Sequence, residues 1–131
     1  MAPESESTLP DGTEREALHR IELGIEWLHR ARGHLVAFHH NTGHAMDHFA
    51  AAERNLRESG RSELANTLRD DLLPRGVIDE DRWSYDVLED FESGVYTDLV
   101  AFDRQAHDEI ADGKRHVAER FQEQAWTERS E

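Results

Sequence analysis

The chain has 131 residues, enough for one domain with a single hydrophobic core but too few for two independent ones. Its 29 acidic residues outnumber 15 basic ones, giving a formal charge of −14. This charge disfavours binding to nucleic acid or to an anionic membrane, because both require a basic surface that neutralises phosphates. The lack of cysteine excludes disulfides, thiolate metal sites and cysteine nucleophiles.

The N-terminal segment, residues 1–12, holds two of the three prolines and is predicted to be a flexible tail. It lacks the basic and apolar regions of a signal peptide, and no apolar run reaches the roughly 18 residues of a membrane span. We therefore expect a cytoplasmic protein without a membrane segment. A single all-helical domain is predicted over 13–131, with Thr13 and Glu16 at the spacing of a capping box.

The first predicted helix covers about 13–58. Its apolar residues keep one heptad register throughout: Leu18, Ile21, Ile25, Leu28, Leu35, Met46, Phe49 and Leu56. Four polar residues interrupt this seam: Arg32, His39, Thr42 and Glu53. Because the phase does not change at Gly33 or Gly43, the pattern favours one long helix over two shorter ones.

Two further helices are predicted. A short one runs from a cap at Ser62 to Leu73 and is ended by Pro74. Ser84 is predicted to cap a long third helix that reaches about Thr127, through Gly94 and Gly113. Its apolar seam contains Leu88, Phe91, Val95, Leu99, Phe102, Ala106, Ile110, Val117 and Phe121.

These elements predict an all-α fold, namely a long antiparallel helical hairpin with a short connector helix. Two long helices share only one seam and leave aromatic side chains uncovered, so we expect two hairpins to pair as a homodimeric four-helix bundle. The alternative is a monomer in which the first helix breaks near Gly33 or Gly43 and folds back as a compact bundle.

The basic residues are unusual in kind, since fourteen are arginines and only Lys114 is a lysine. Together with the excess of carboxylates, this composition resembles that of proteins from extreme halophiles, particularly haloarchaea. The resemblance extends over the whole chain but concerns composition alone. It implies a salt-rich cytoplasm, where a Debye length of about 3 Å near molar salt would suppress the repulsion between carboxylates.

A stripe of three histidines, His40, His44 and His48, lies at four-residue intervals. Neighbouring pairs can ligate one divalent metal ion on a helix, but acidic or histidine ligands from another helix must complete the coordination. Neither an HExxH motif nor the ligand pattern of di-iron bundles or hemerythrins is present. The stripe also lies about 160° from the Met46 seam position, so a solvated helix face is the alternative.

His39 occupies a seam position and should be at least partly buried. If residue 58 lies near residue 84, antiparallel pairing brings His39 close to Asp103 and His107. The three could ligate a metal or form an acid-base cluster, whereas the simpler alternative is a core histidine bonded to one carboxylate.

The sequence carries no recognisable catalytic signature. It favours a non-enzymatic helical protein that acts through an interaction surface, with no cofactor and with itself or another protein as partner. A metal-binding bundle for storage, redox or hydrolytic chemistry is the second hypothesis. An RNA-cleaving domain using Arg32 and His39 is disfavoured because the acidic charge repels RNA.

Overall fold

The computed structural model describes residues 9–78 and 81–130. Over these residues the fold is all-helical, as predicted, and one isolated bridge between Ile78 and Arg82 is the only strand-like pairing. The α-helices are α1 (Gly12–Glu58), α2 (Ser62–Thr67), α3 (Ser84–Phe91), α4 (Thr97–Ala111) and α5 (Val117–Arg129). π-helical turns follow α2 at Leu68–Leu72 and α3 at Glu92–Tyr96. Within the described part of the chain, no helix is long and apolar enough to cross a membrane.

Helix α1 confirms the predicted long first helix and remains helical at Gly33 and Gly43. It begins slightly earlier than expected, because Asp11 rather than Thr13 caps it, with Asp11 Oδ1 accepting the backbone N–H of Glu14 at 2.9 Å. Of the predicted tail, residues 1–8 lie outside the described residues. Leu9 is half-buried and packs against apolar core residues.

The described residues divide into two compact units. Unit 1 comprises residues 9–30 and 93–130, and unit 2 comprises residues 31–78 and 81–92. The single domain over 13–131 stays a prediction.

Unit 1 contains a small apolar cluster of four buried residues: Leu18, Ala106, Ala111 and Val117. The last three come from α4 and α5, which the sequence predicted as parts of one helix. Instead, Gly94 adopts a non-helical conformation within the turn before α4. Asp112, Gly113 and His116 then take left-handed φ values of 50°, 80° and 59°, which no α-helix contains. The predicted third helix is therefore three segments, and its two glycines mark the breaks.

Unit 2 contains the return segment, which we define as the described residues between α1 and α3, 59–78 and 81–83. The segment packs along the last turns of α1. Arg57 donates to Asn66 Oδ1 at 3.0 Å, and Met46 lines a hollow together with Leu72 and Ile78. The segment thus extends back along α1 as far as Met46, and α3 begins beside His39 rather than beside residue 58. The predicted register of the third helix was wrong because it treated the connector as a short link.

Polar residues of the predicted first seam have partners in unit 2. The Arg32 guanidinium donates to Glu92 Oε2 from Nε at 3.0 Å and pairs with it through NH2 at 2.9 Å. Thr42 donates its hydroxyl to the Phe38 carbonyl at 2.7 Å, and Glu53 pairs with Arg57 at 3.2 Å. These interruptions in the apolar pattern are therefore points of polar pairing.

Candidate functional site

A buried carboxylate, Glu22 of α1, is the centre of a polar cluster in unit 1. The residue is 8% exposed. Its Oε1 accepts a hydrogen bond from the backbone N–H of His116 at 2.6 Å and lies 3.0 Å from Nε2 of His107. Both of these bonds use Oε1, whereas Oε2 lies 4.0 Å from His116 Nδ1. One oxygen of Glu22 is thus fixed by donors from the α4–α5 region.

His107 lies deepest in the cluster, with 1% exposure. Its Nε2 faces Glu22, and its Nδ1 lies 2.9 Å from the carbonyl oxygen of Asp103 and 3.3 Å from Asp103 Oδ1. Both ring nitrogens of His107 therefore face oxygen atoms, Nε2 that of Glu22 and Nδ1 those of Asp103.

Asp103 is 6% exposed and has a second cationic partner, Arg115. The guanidinium binds both carboxylate oxygens, with NH2 3.1 Å from Oδ1 and NH1 3.0 Å from Oδ2. This hydrogen bonding to Asp103 raises the pKa of Arg115 further above its ordinary value. Arg115 is therefore a permanent positive charge beside a buried carboxylate, and the two groups form a bidentate pair.

The turn between α4 and α5 determines where the His116 amide lies. His116 adopts a left-handed conformation as the residue before α5, although it is not a glycine. Such a conformation costs roughly 1–2 kcal/mol for a residue with a β-carbon. A charge-assisted hydrogen bond contributes about 1.5–3 kcal/mol, so the bond from the His116 amide to Glu22 can offset this strain.

Two more ligand-type side chains, His19 and Glu119, lie beside Glu22. His19 precedes Glu22 by three residues on α1, and Glu119 lies in the first turn of α5. His19 Nδ1 is 3.3 Å from Glu119 Oε1, but the contact is not aligned as a hydrogen bond, and this buried nitrogen has no hydrogen-bond partner among the described residues. Ligand atoms of His19, Glu22 and Glu119 all lie within 4.8 Å of one another.

The predicted set of His39, Asp103 and His107 is divided. The structure brings Asp103 and His107 together, with Glu22 in the place expected for His39. His39 Nδ1 instead lies 2.8 Å from Ser84 Oγ, and its ring makes an edge contact with Tyr85. The cause is the register of the third helix: α3 begins beside His39.

Ser84 also differs from its predicted role as the cap of the third helix. Trp83 takes the capping position, and its backbone N–H donates to Asp86 Oδ2 at 2.9 Å. The hydroxyl of Ser84 is therefore available to His39.

The histidine stripe His40, His44 and His48 is exposed along α1. Over the described residues, the group of three side chains whose ligand-type atoms all lie within 4.8 Å of one another is His19, Glu22 and Glu119. Metal binding by the stripe stays a prediction, and the ligands that complete its coordination would have to come from outside α1.

Sequence reasoning missed Glu22, His19, Arg115 and Glu119. Glu22 carried a usable signal, because Leu18, Ile21 and Ile25 surround it on the seam side of the helix. His19, Arg115 and Glu119 carried none, since their proximity depends on the turn between α4 and α5.

Comparison with known proteins adds no relative: no family model matches the chain, and neither a curated protein nor a solved structure matches it. The chemistry of the site therefore follows from its geometry alone. A fixed carboxylate, an imidazole nitrogen without a hydrogen-bond partner and a second carboxylate form a set that can hold a cation or transfer a proton.

Proposed function

We propose that this is a non-enzymatic helical protein that self-associates through apolar helix faces in a salt-rich cytoplasm. The observation that carries this proposal is the distribution of apolar side chains. Over the described residues, the buried hydrophobic residues are Leu18, Val117 and three alanines. The exposed large hydrophobic residues are Trp27, Phe38, Phe49, Leu64, Leu72, Ile78, Tyr85, Val95, Leu99, Phe102, Phe121 and Trp126.

Covering these side chains would stabilise the protein substantially. Burial of one large apolar side chain contributes about 1.5–3 kcal/mol. Contiguous exposed apolar patches are uncommon on soluble monomers and usually indicate an interaction surface. An interface that covered only a few of the exposed aromatic residues would therefore contribute several times this amount before the entropy of association is subtracted.

In unit 2, Phe38 and Phe49 supply an apolar line on α1. They are eleven residues apart, which at about 100° per residue places them only about 20° apart around the helix. Ala45 lies on the same line between them and is exposed. A small residue between two aromatic rings allows a neighbouring helix to approach closely, with the rings packed on either side of it.

In unit 1, Leu99 and Phe102 of α4 are exposed although Asp103 and His107 of the same helix are buried. Because this helix buries charged side chains and leaves apolar ones in water, we expect another apolar surface to cover its exposed apolar side chains. This second exposed region supports self-association independently of the α1 line.

A second copy of this chain is the occupant that we propose for these faces. An apolar helix face pairs with another of its kind, as in helical bundles. Each copy adds a charge of −14, so association brings strong repulsion that salt must screen. Self-association is therefore expected to strengthen with salt, as suits the halophile-like composition.

The test is the mass of the full chain in near-molar potassium salt, measured by light scattering or sedimentation equilibrium. We expect about twice the chain mass of 15.1 kDa. Phe49→Asp should shift the protein towards the monomer, because it places a carboxylate on the apolar line. Gln122→Glu is the matched control: it adds the same charge on the exposed surface of α5 and should leave the mass unchanged.

A monomeric wild type at micromolar concentration in high salt would contradict the proposal. Equal dissociation by Phe49→Asp and Gln122→Glu would show that net charge, and not the Phe38–Phe49 line, controls the mass.

A further inference from the structure

We propose that His19, Glu22 and Glu119 form a binding site for a divalent transition-metal ion in unit 1. The ligands are His19 Nδ1, one carboxylate oxygen of Glu22 and one of Glu119. This inference is independent of self-association, because all three residues belong to one unit of one chain.

The first argument is the state of His19 Nδ1. This atom is buried and makes no hydrogen bond with any described residue. A buried polar atom without a partner is costly, and native proteins rarely leave one unsatisfied. A neutral imidazole nitrogen is a strong ligand for transition metals. Coordination would therefore satisfy this nitrogen, whose 3.3 Å contact with Glu119 Oε1 is not a hydrogen bond.

The second argument is spacing. The three ligand atoms lie within 4.8 Å of one another. Ligands that share one zinc-sized ion at about 2.0–2.2 Å each are roughly 3–4 Å apart, so side-chain movements of about 1 Å would close the set. His19 and Glu22 are neighbours at i and i+3 on α1, and α5 supplies Glu119, so helices position all three.

The third argument is the support behind Glu22. Its Oε1 is held by His107 and by the His116 amide, and His107 is held in turn by Asp103, which Arg115 binds. Ligating carboxylates in metal sites are oriented by such outer hydrogen bonds. These bonds fix Glu22 Oε1, whereas Oε2 has only the 4.0 Å contact with His116 Nδ1 and can coordinate.

The fourth argument is charge. Glu22 and Glu119 bring two carboxylates to within 4.8 Å of each other in a partly buried place. A divalent cation between them removes their repulsion and adds attraction to both.

One imidazole and two carboxylates select the class of metal. Imidazole favours zinc, iron(II) and nickel, while an all-oxygen shell would favour magnesium or calcium. Three protein ligands leave room for water as a further ligand, as in open zinc sites. We expect zinc to bind more tightly than manganese, and magnesium to bind far more weakly than either.

The experiment is calorimetric titration of the full chain with zinc, manganese and magnesium chlorides in chelator-free, near-molar potassium salt. His19→Ala should weaken zinc binding at least tenfold. The matched variant His44→Ala, which breaks the exposed stripe, should leave the affinity unchanged. Circular dichroism and the oligomer mass, measured on the same samples, show whether folding and self-association are retained.

One conservative variant separates coordination from loss of structure, and a second tests the support behind Glu22. Glu119→Gln changes a half-exposed side chain by one atom and should also weaken zinc binding at least tenfold. Asp103→Asn, which touches neither a ligand atom nor Glu22, should weaken zinc binding less than Glu119→Gln does, in protein that circular dichroism shows to be folded. Nitrogen chemical shifts of the histidine rings should change at His19 Nδ1 when zinc is added.

Three outcomes would overturn the proposal. The first is no zinc binding tighter than about 100 μM, equivalent to roughly −5.5 kcal/mol. The second is loss of binding in His44→Ala but not in His19→Ala, which would assign the metal to the histidine stripe. The third is unchanged affinity in folded Glu119→Gln, which would leave His19 and Glu119 as an ion pair.

Discussion

Units 1 and 2 differ in where they place their paired ionisable residues. In unit 1, Glu22, Asp103 and His107 are buried, and each is bonded to another member of the cluster. In unit 2, Arg32 and Glu92 pair while both remain more than a third exposed. The apolar cluster also differs, because four buried hydrophobic residues lie in unit 1, whereas Ala65 is the buried hydrophobic residue of unit 2 within the described ranges.

The difference shows how burial changes the effect of a similar contact. A charge pair that keeps its water gains about 0–1 kcal/mol, because solvent and salt screen it. A buried pair contributes little net stability when complete, yet losing one partner leaves an uncompensated charge and is strongly destabilising. Unit 1 should therefore be sensitive to single substitutions, and unit 2 to solvent conditions.

The largest expected effect is that of salt. Diluting the protein from near-molar salt to below about 0.1 M, where the Debye length rises to about 10 Å, should reduce helicity as carboxylate repulsion returns. Unit 2 should lose structure first, because it has fewer buried apolar contacts. Circular dichroism follows the total helicity, and fluorescence of a Trp27→Phe/Trp126→Phe variant follows Trp83 in unit 2 alone.

Full helicity below 0.1 M salt would contradict the halophile-like interpretation. A Trp83 transition at lower salt than the overall loss of helicity would reverse the proposed order of the two units.

The second expected effect is that of Glu22→Ala. Removing this carboxylate deprives His107 Nε2 and the His116 amide of their acceptor, so the free energy of unfolding should fall by about 3–5 kcal/mol. Glu26→Ala is the control, because Glu26 lies one turn further along α1 and is exposed. Denaturant unfolding in high salt compares the two. Equal small losses would mean that water, rather than Glu22, satisfies His107.

The smallest expected effect comes from unit 2, where His39 and His40 form a natural pair of neighbours. His39 bonds to Ser84, whereas His40 is exposed. His39→Ala should lower the free energy of unfolding by about 0.5–1.5 kcal/mol, the usual contribution of one neutral hydrogen bond. His40→Ala should change it by less than about 0.5 kcal/mol. Thermal or denaturant unfolding of the two variants checks this contrast. Equal changes in the free energy of unfolding would disprove it.

The sequence was sufficient to predict the helical class and the length of α1. The apolar residues of α1 keep one heptad phase from Leu18 to Leu56. Such a long repeat follows from the local geometry of a helix and requires no knowledge of tertiary contacts. The polar seam residues Arg32 and His39 interrupt the apolar pattern, and in the structure they pair with Glu92 and Ser84 respectively.

The partners themselves could not be predicted, because they depend on register. The return segment follows α1 back to Met46, so His39 meets Ser84 and not Asp103. The cluster around Glu22 depends on left-handed conformations at Asp112 and His116, which residue type indicates only weakly. Local periodicity determines which residues form helices, whereas connections between helices determine which side chains meet.

The hydrogen bonds of Glu22 have a consequence for the order in which the chain is completed during synthesis. Glu22 precedes His107 by 85 residues and His116 by 94. The pairing of Arg57 with Asn66 spans only 9 residues and can form as soon as α2 is made. Because the ribosome adds only about 5–20 residues per second, all of unit 2 is synthesised while Glu22 still has neither partner. Contacts between residues so far apart in the sequence also form slowly. Until His107 and His116 have been made, water is therefore the only hydrogen-bonding partner that these two contacts leave to Glu22, and the solvent holds the place that the protein fills last.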